Sequence, residues 1–371
     1  MRTALITGVT GQDGGYLVGL LLAKGYRVHG THRPVTEPNV WRLRELGLLG
    51  HERLHLVESG LADLPEVLGL LDSCEPDEIY HLAAQSSVAT SARLPLDTAA
   101  SNALGALNML EAVRTLGGRP RLFQASSAEI FGDSASVPQD ETTPRDPRSP
   151  YGVAKLFAFG MTRGYRDGYG LHASNGILFN HESPLRGAAF VTRRITQSVA
   201  AIAEGARRPL ELGNLEARRD WGYAAEYAEG MWRMLQAETA DDYVLATGRA
   251  VSVRDFVAMA FAAAGLDLRW EGQGQAEVGF ERASGRVLVT VDPRLYRATD
   301  VGLRVGDSAK AADRLGWRAR TQVRELCAMM VDADIARARG CAPVRVHGYT
   351  LPDRPRPSGS SAGGLLTPRH S

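Results

Sequence analysis

Ala4-Leu5-Ile6-Thr7-Gly8-Val9-Thr10-Gly11-Gln12-Asp13-Gly14-Gly15-Tyr16-Leu17 is the stretch on which the fold turns. An apolar β-type run leads into three glycines, Gly8, Gly11 and Gly14, and an apolar run with helical spacing follows at once. Glycines in that context allow a tight turn and a close backbone approach, while the N-terminus of the following helix offers free N–H groups to a pyrophosphate. The alternative is a plain glycine turn without a ligand.

Working outward, short β-rich runs alternate with longer amphipathic segments, the pattern of βαβ units and a parallel sheet. Strands are expected at residues 3–6, 27–31, 54–58, 78–82 and 122–125, with helices near 15–24, 64–71 and 97–116. A long helix is expected over 151–167 and a strand near 174–179, followed by shorter, mixed elements. The fold class is therefore α/β: a Rossmann-type doubly wound parallel sheet with a smaller, mixed α/β C-terminal substrate lobe. We assign residues 1–178 and about 224–250 to the first unit, and 179–223 and 251–345 to the second. Residues 346–371, rich in Pro, Gly and Ser beyond Leu351, read as a disordered tail. No repeat of 20–50 residues is visible.

Bulk composition narrows the function. With 43 Lys and Arg against 42 Asp and Glu, a net charge of +1 creates no broad field for nucleic acid or an anionic membrane, so an anionic ligand must be gripped locally. Cys74, Cys327 and Cys341 are scattered and lack metal-ligand spacing, which suggests reduced packing thiols and no metal. The chain shows no apolar leader and no run of eighteen apolar residues, so a cytoplasmic location is expected.

After the second strand, where an acidic residue commonly reads a ribose 2′-hydroxyl, the chain has Gly30-Thr31-His32-Arg33. Arginine there suits a 2′-phosphate, so NADP is expected; the competing reading of Arg33 is a solvated surface residue. Tyr151-Gly152-Val153-Ala154-Lys155 puts a phenol and an ammonium on one helix face. A free tyrosine titrates near 10, and a cation within about 4–6 Å can lower such a group by roughly 1–3 units. Tyr151 is thus expected to accept a sugar-hydroxyl proton, with Lys155 lowering its pKa and holding the nicotinamide ribose. Upstream, Gln124-Ala125-Ser126-Ser127-Ala128-Glu129 ends the fifth strand, at the sheet edge where ligands of such folds sit. Simple reduction needs only Tyr151, Lys155 and the cofactor. Glu129 adds a base for a C–H proton made acidic by a neighbouring ketone, and then an acid for a departing hydroxyl; otherwise it is a carboxylate at a helix start.

Taken together these residues resemble the GDP-mannose 4,6-dehydratases, within the extended short-chain dehydrogenase/reductases, whose glycine spacing the first loop shares. The resemblance spans Arg2 to about Ile335 and includes Gly8 to Gly14, Leu82-Ala83-Ala84-Gln85-Ser86, Phe179-Asn180-His181-Glu182-Ser183-Pro184, Phe190-Val191-Thr192-Arg193, Leu212-Gly213-Asn214-Leu215, Arg219-Asp220-Trp221-Gly222 and Val291-Asp292-Pro293-Arg294. It implies oxidation of the sugar at C4, loss of water across C5 and C6, and return of the hydride to C6. Tyr151 would take the C4 hydroxyl proton, Glu129 the C5 proton, and Ser127 would orient the sugar. The cofactor would meet Gly8, Thr10, Gly11, Gln12, Asp13, Gly14, Arg33, Leu82, Ala83, Ser86, Tyr151, Lys155, His181 and Arg186. The GDP-sugar would meet Asn180, Val191, Arg194, Arg219, Arg297 and Asp300, although read without the family Arg194 is equally a solvated helix residue and Arg219 half of an exposed ion pair.

The chain departs from that family at several positions. Ser127 replaces a threonine and keeps its hydroxyl; Ser59-Gly60-Leu61 lacks a carboxylate expected near the adenine; Pro34, Leu185, Asp300 and Ser87 replace an arginine, an arginine, a glutamate and a histidine. A heptose in place of mannose stays open. A 4-epimerase or 4-keto reductase on the same scaffold, or a catalytically silent nucleotide-binding protein, are the competing functions. The helices over 97–116 and 151–167 resemble the family's dimer surface, and the loop over 34–44 one that builds tetramers, so a homodimer or homotetramer is expected.

Overall fold

The computed structural model describes residues 1–33, 39–295 and 303–341. Seven parallel strands form the central sheet: β1 (Thr3–Thr7), β2 (Arg27–His32), β3 (Leu54–Glu58), β4 (Glu78–His81), β5 (Arg121–Ser127), β6 (Ala173–Leu178) and β7 (Asp242–Leu245). Their spatial order is β7-β6-β5-β4-β1-β2-β3, so the direction of winding reverses between β1 and β4. That reversal opens a crevice at the carboxyl ends of the strands, where β1 delivers the glycine loop and β5 delivers Ser127.

Both faces of the sheet are buried, and adjacent residues of one strand feed opposite cores. Ala4 and Ile6 pack into one apolar cluster and Leu5 into another; Tyr80 and Ile79, and Phe123 and Leu122, divide in the same way. Such strands read as continuous apolar runs instead of alternating ones. Helix α1 (Gln12–Ala23) covers the first face, and α2 (Leu64–Cys74) and α3 (Gly105–Thr115) cover the second. Helix α4 (Pro150–Tyr169) is set by local chemistry at both ends. The Ser149 hydroxyl accepts from Gly152 N–H (3.1 Å), Pro150 fills the first turn, and Gly170 stops the helix at φ 69°.

One expected helix differs in form. In place of a regular helix over 97–116, Pro95–Ala99 is α-helical, Ala100–Leu104 widens into a π-helical turn and Gly105–Thr115 resumes the α form. Asn102 in the wide turn clasps the backbone of Gln85, accepting from its N–H (2.7 Å) and donating to its C=O (2.9 Å). Leucine and alanine spacing cannot reveal one extra residue per turn. The later elements include a four-stranded sheet, ordered Leu268–Glu271, Val278–Glu281, Val287–Val291, Leu210–Leu212, with α5 (Val191–Ala203), α6 (Ala224–Gln236) and α7 (Val323–Ala338). Cys74 and Cys327 are buried, as packing thiols are, but Cys341 is exposed just past the end of α7, where its thiol lies 3.9 Å from the Arg339 carbonyl oxygen. Among the described residues no helix is long and apolar enough to cross a membrane, and no cluster of His, Cys, Asp and Glu could hold a metal. The expected tail over 346–371 and residues 34–38 of the expected tetramer loop lie outside the described residues.

Candidate active site

The glycine loop is close-packed at two of its three glycines. Gly8 has φ 72°, and a Cβ there would lie 2.9 Å from the Ala83 Cα; a Cβ on Gly14 would lie 2.6 Å from the Val9 carbonyl oxygen. Gly11 donates to the Gly8 carbonyl (3.0 Å) and begins α1 without a side-chain cap, so the N–H groups of the first turn, at Gln12 to Gly14, have no intrahelical acceptor. Across the crevice, Leu82 and Ala83 donate N–H bonds to the Thr7 hydroxyl (both 3.1 Å), which draws their backbone against the loop. This narrow, side-chain-free cradle at a helix N-terminus fits a dinucleotide pyrophosphate.

Gln12 and Asp13 serve a structural purpose that the sequence did not suggest. The Gln12 amide donates to the His181 carbonyl (3.1 Å) and accepts from the Ser183 hydroxyl (2.7 Å), while the Asp13 carboxylate meets His181 Nε2 at 3.0 Å. Burial would push Asp13 up, but His181 and neighbouring groups hold it at about 2. Arg186 lies beside Glu182 at 3.0 Å, too bent for a hydrogen bond, and stacks on the Phe190 ring. Ser86 and Arg33 are exposed. Although Gly60 carries no carboxylate, Glu66 folds back so that its carboxylate accepts the Gly60 N–H (2.6 Å), keeping a negative charge at that loop.

The catalytic candidates converge where β5 ends. Ser127 caps a 3-10 turn, Ala128–Phe131, by accepting from the Glu129 N–H (3.2 Å). Helix α4 then lies directly on this turn: a Cβ on Gly152 would come within 2.8 Å of the Glu129 carbonyl oxygen, so glycine next to Tyr151 lets the two elements touch. Gly132, at φ 58°, turns the chain away where a Cβ would collide with the Asp146 carbonyl. Ser127, Glu129, Tyr151 and Lys155 therefore come together where a strand exit meets the first turns of the following long helix.

The electrostatics of the pair differ from the expectation. Lys155 Nζ donates to the Ala125 carbonyl (2.7 Å) and stands 5.9 Å from the Tyr151 ring centroid. Both side chains are buried, and burial pushes the Tyr151 phenol up to about 12, against a lowering hydrogen bond with Ser127. Burial also brings Lys155 down to about 8. Desolvation penalises each charged form more than the neighbouring groups favour it. Behind Lys155 the buried His81, bonded through Nδ1 to the Thr7 hydroxyl (3.0 Å), is pushed down to about 3 by burial and by Lys155, and stays neutral. At neutral pH the Tyr151 phenol accordingly holds its proton.

On the nucleotide side, Asn180 accepts at its carbonyl from Gly222 N–H (2.9 Å) and Val191 opens α5. One turn in, Arg194 lines an open cavity with Arg208, Glu211, Asp292 and Arg294. Arg219 sits in the strand Arg218–Asp220, while its neighbour Asp220 is buried and accepts from Thr247, Gly248 and Gly306 backbone N–H groups. Arg297 and Asp300 lie outside the described residues. Arg304 went unforeseen: its guanidinium forms a tight ion pair with Glu129, a partner 175 positions away along the chain, and nothing in Leu303-Arg304-Val305 signals it.

Comparison with known proteins agrees with this arrangement. Two solved structures share the fold: dTDP-glucose 4,6-dehydratase from Bacillus anthracis in complex with NAD (TM-score 0.72, 18% identity, covering 89% of this chain and 96% of that one) and RMD from Pseudomonas aeruginosa complexed with NADPH (TM-score 0.70, 20% identity, 91% and 100%). In sequence the chain is 49% identical over 344 residues to a GDP-mannose 4,6-dehydratase of Sinorhizobium fredii, covering 91% of this chain and 98% of that protein. It is 45% identical over 342 residues to the human GDP-mannose 4,6 dehydratase, covering 90% and 91%. The family model described as GDP-mannose 4,6 dehydratase matches residues 5–330. The glycine cradle, the Ser127–Glu129 turn and the Tyr151–Lys155 helix thus occur in a chain that belongs to the GDP-mannose 4,6-dehydratase family.

Proposed function

We propose that this chain converts GDP-mannose to GDP-4-keto-6-deoxymannose with NADP as cofactor. The reading is carried by one juxtaposition, the Glu129 carboxylate on the same turn-and-helix contact as Tyr151, which an epimerase or reductase has no use for. Gly8, Thr10, Gly11, Gln12, Asp13 and Gly14 would hold the pyrophosphate, with Leu82, Ala83, Ser86, His181, Arg186 and Lys155 around it and Arg33 meeting the 2′-phosphate. Bound there, the nicotinamide supplies a hydride acceptor for C4 and a hydride donor for C6. Tyr151, brought to its phenolate if the positive nicotinamide ring of a bound cofactor joins Lys155 in lowering its pKa, would take the C4 hydroxyl proton as that carbon is oxidised. The new ketone acidifies C5–H, Glu129 removes that proton, and the protonated acid releases the C6 hydroxyl as water. Ser127 orients the sugar, and Asn180, Val191, Arg194, Arg219, Arg297 and Asp300 hold the nucleotide and sugar from the lobe formed by residues 179–223 and 251–345. Incubation with GDP-mannose in parallel with NADP and NAD tests the reading. NMR should show the 4-keto-6-deoxy product, faster with NADP; tight binding without product would refute the activity, and equal rates would refute the cofactor preference.

A homodimer is part of the same reading. Leu104, Leu116, Val153 and Phe157 are exposed apolar side chains on the two helical segments expected to face a second copy. Light scattering should give at least twice the monomer mass, and a monomer at working concentration would refute it.

A further inference from the structure

Arg304 reaches the catalytic turn from the far end of the sequence, and its backbone is clamped where it does so. Gln139 accepts the Val305 N–H at its side chain (3.0 Å) and donates its own N–H to the Val305 carbonyl (2.8 Å). Asp307 N–H donates to the Gln139 carbonyl (2.8 Å), Gly306 N–H donates to the buried Asp220 (3.3 Å), and residue 304 bridges to residue 219. Gly306 is pressed onto the core, where a Cβ would come within 2.4 Å of the Ala246 Cβ and 2.7 Å of the Phe179 ring. The Arg304 side chain is 4% exposed and its Nε is buried without a hydrogen-bond partner, whereas Glu129 is 21% exposed. Nη1 donates to Glu129 Oε1, and among the described residues no hydrogen bond engages Oε2.

A guanidinium this dry demands an anion, and a carboxylate at the pocket wall would be free to rotate if nothing held one oxygen. We propose that Arg304 is a positioning residue for the reaction: it pins Glu129 Oε1 and leaves Oε2 free to meet the C5 proton. This rests on the reading of Glu129 as the C5 base. Among the described residues the charged and titratable groups facing that carboxylate are Arg304 itself and Tyr151, whose phenol feels the Glu129 charge.

The test is Arg304→Met, which keeps length and removes charge, assayed on GDP-mannose with NADP. Turnover should fall by about 10- to 100-fold with the KM for GDP-mannose little changed, part of the ~10²–10⁴ a positioned base supplies. Solvent deuterium incorporation at C5 should slow in step. Arg304→Lys, which keeps a donor for Oε1, should recover part of the turnover and of the C5 exchange. A folded Arg304→Met with wild-type kcat, or with a raised KM and unslowed C5 exchange, overturns the proposal. Should Arg304→Met fail to fold, Arg304→Gln carries the same expectation and the same refutation. Wild-type protein that makes no dehydrated product would overturn the base assignment, a failure read separately from that of the variants.

Discussion

Glu129→Gln is expected to cut turnover on GDP-mannose by ~10²–10⁴, the contribution of a positioned general base, while NADP binding stays at the wild-type level. The amide matches the carboxylate in size and its oxygen can still accept from Arg304, although the buried guanidinium then lacks its anion and the variant should unfold at a lower temperature. It cannot take a proton from C5. Cofactor affinity should be indifferent because the glycine cradle, the Asp13–His181 pair and Lys155 are untouched. Turnover together with a fluorescence titration of NADPH reads both halves. Near-normal turnover would remove Glu129 from the chemistry, and a matched loss of cofactor affinity would make it a structural residue instead.

Lys155→Met should separate function from stability in the opposite direction. Bringing a lysine from 10.5 down to about 8 means that its charge is disfavoured in the folded protein. At 1.36 kcal/mol per unit, carrying that charge at pH 7 costs about 3 kcal/mol. Methionine removes the cost but leaves the Ala125 carbonyl without its donor, which returns about 1–2 kcal/mol. The variant should therefore be more stable at pH 7 by about 1 kcal/mol, yet lose roughly 10²-fold or more in turnover with its ammonium gone. The sign of the pH dependence follows. Because the folded-state value lies below the unfolded one, the unfolded chain binds more protons between about 8 and 10.5, and wild-type stability from this group rises with pH across that window. The stability advantage of Lys155→Met should shrink on going from pH 7 to pH 9.5. Thermal unfolding at both pH values checks this; a variant less stable at pH 7, with a gap that does not change, would contradict the buried-charge account.

Much of the site was legible because its parts are local. Gly8, Gly11 and Gly14 between an apolar run and a helix, the Ser127-Ala128-Glu129 exit from a strand, and Tyr151 with Lys155 one helical turn apart each place a side chain through backbone geometry a few residues long. The same locality misled where the outcome depends on surroundings. Four residues of helix bring Lys155 to the same face as Tyr151, but which partner its ammonium chooses, and how much water either group loses, follow from β5 and β6 packing over them. Desolvation then overruled the expected lowering of the phenol. The regular helix expected over 97–116 failed for a related reason, since the wide turn at Ala100–Leu104 answers to Gln85 on another loop.

The sequence by itself determined the parallel sheet, the cradle after its first strand and the identities of the four catalytic candidates, because short apolar runs, the 3.6-residue helical period and glycine spacing are properties of neighbours along the chain. Tertiary structure alone decided which charges meet. The Arg304–Glu129 pair spans 175 positions and the Asp13–His181 pair spans 168, and neither separation leaves a pattern in a single chain. Electrostatic energy depends on distance in space and on exclusion of water, and both come into being only when the strands and the later lobe close around the crevice.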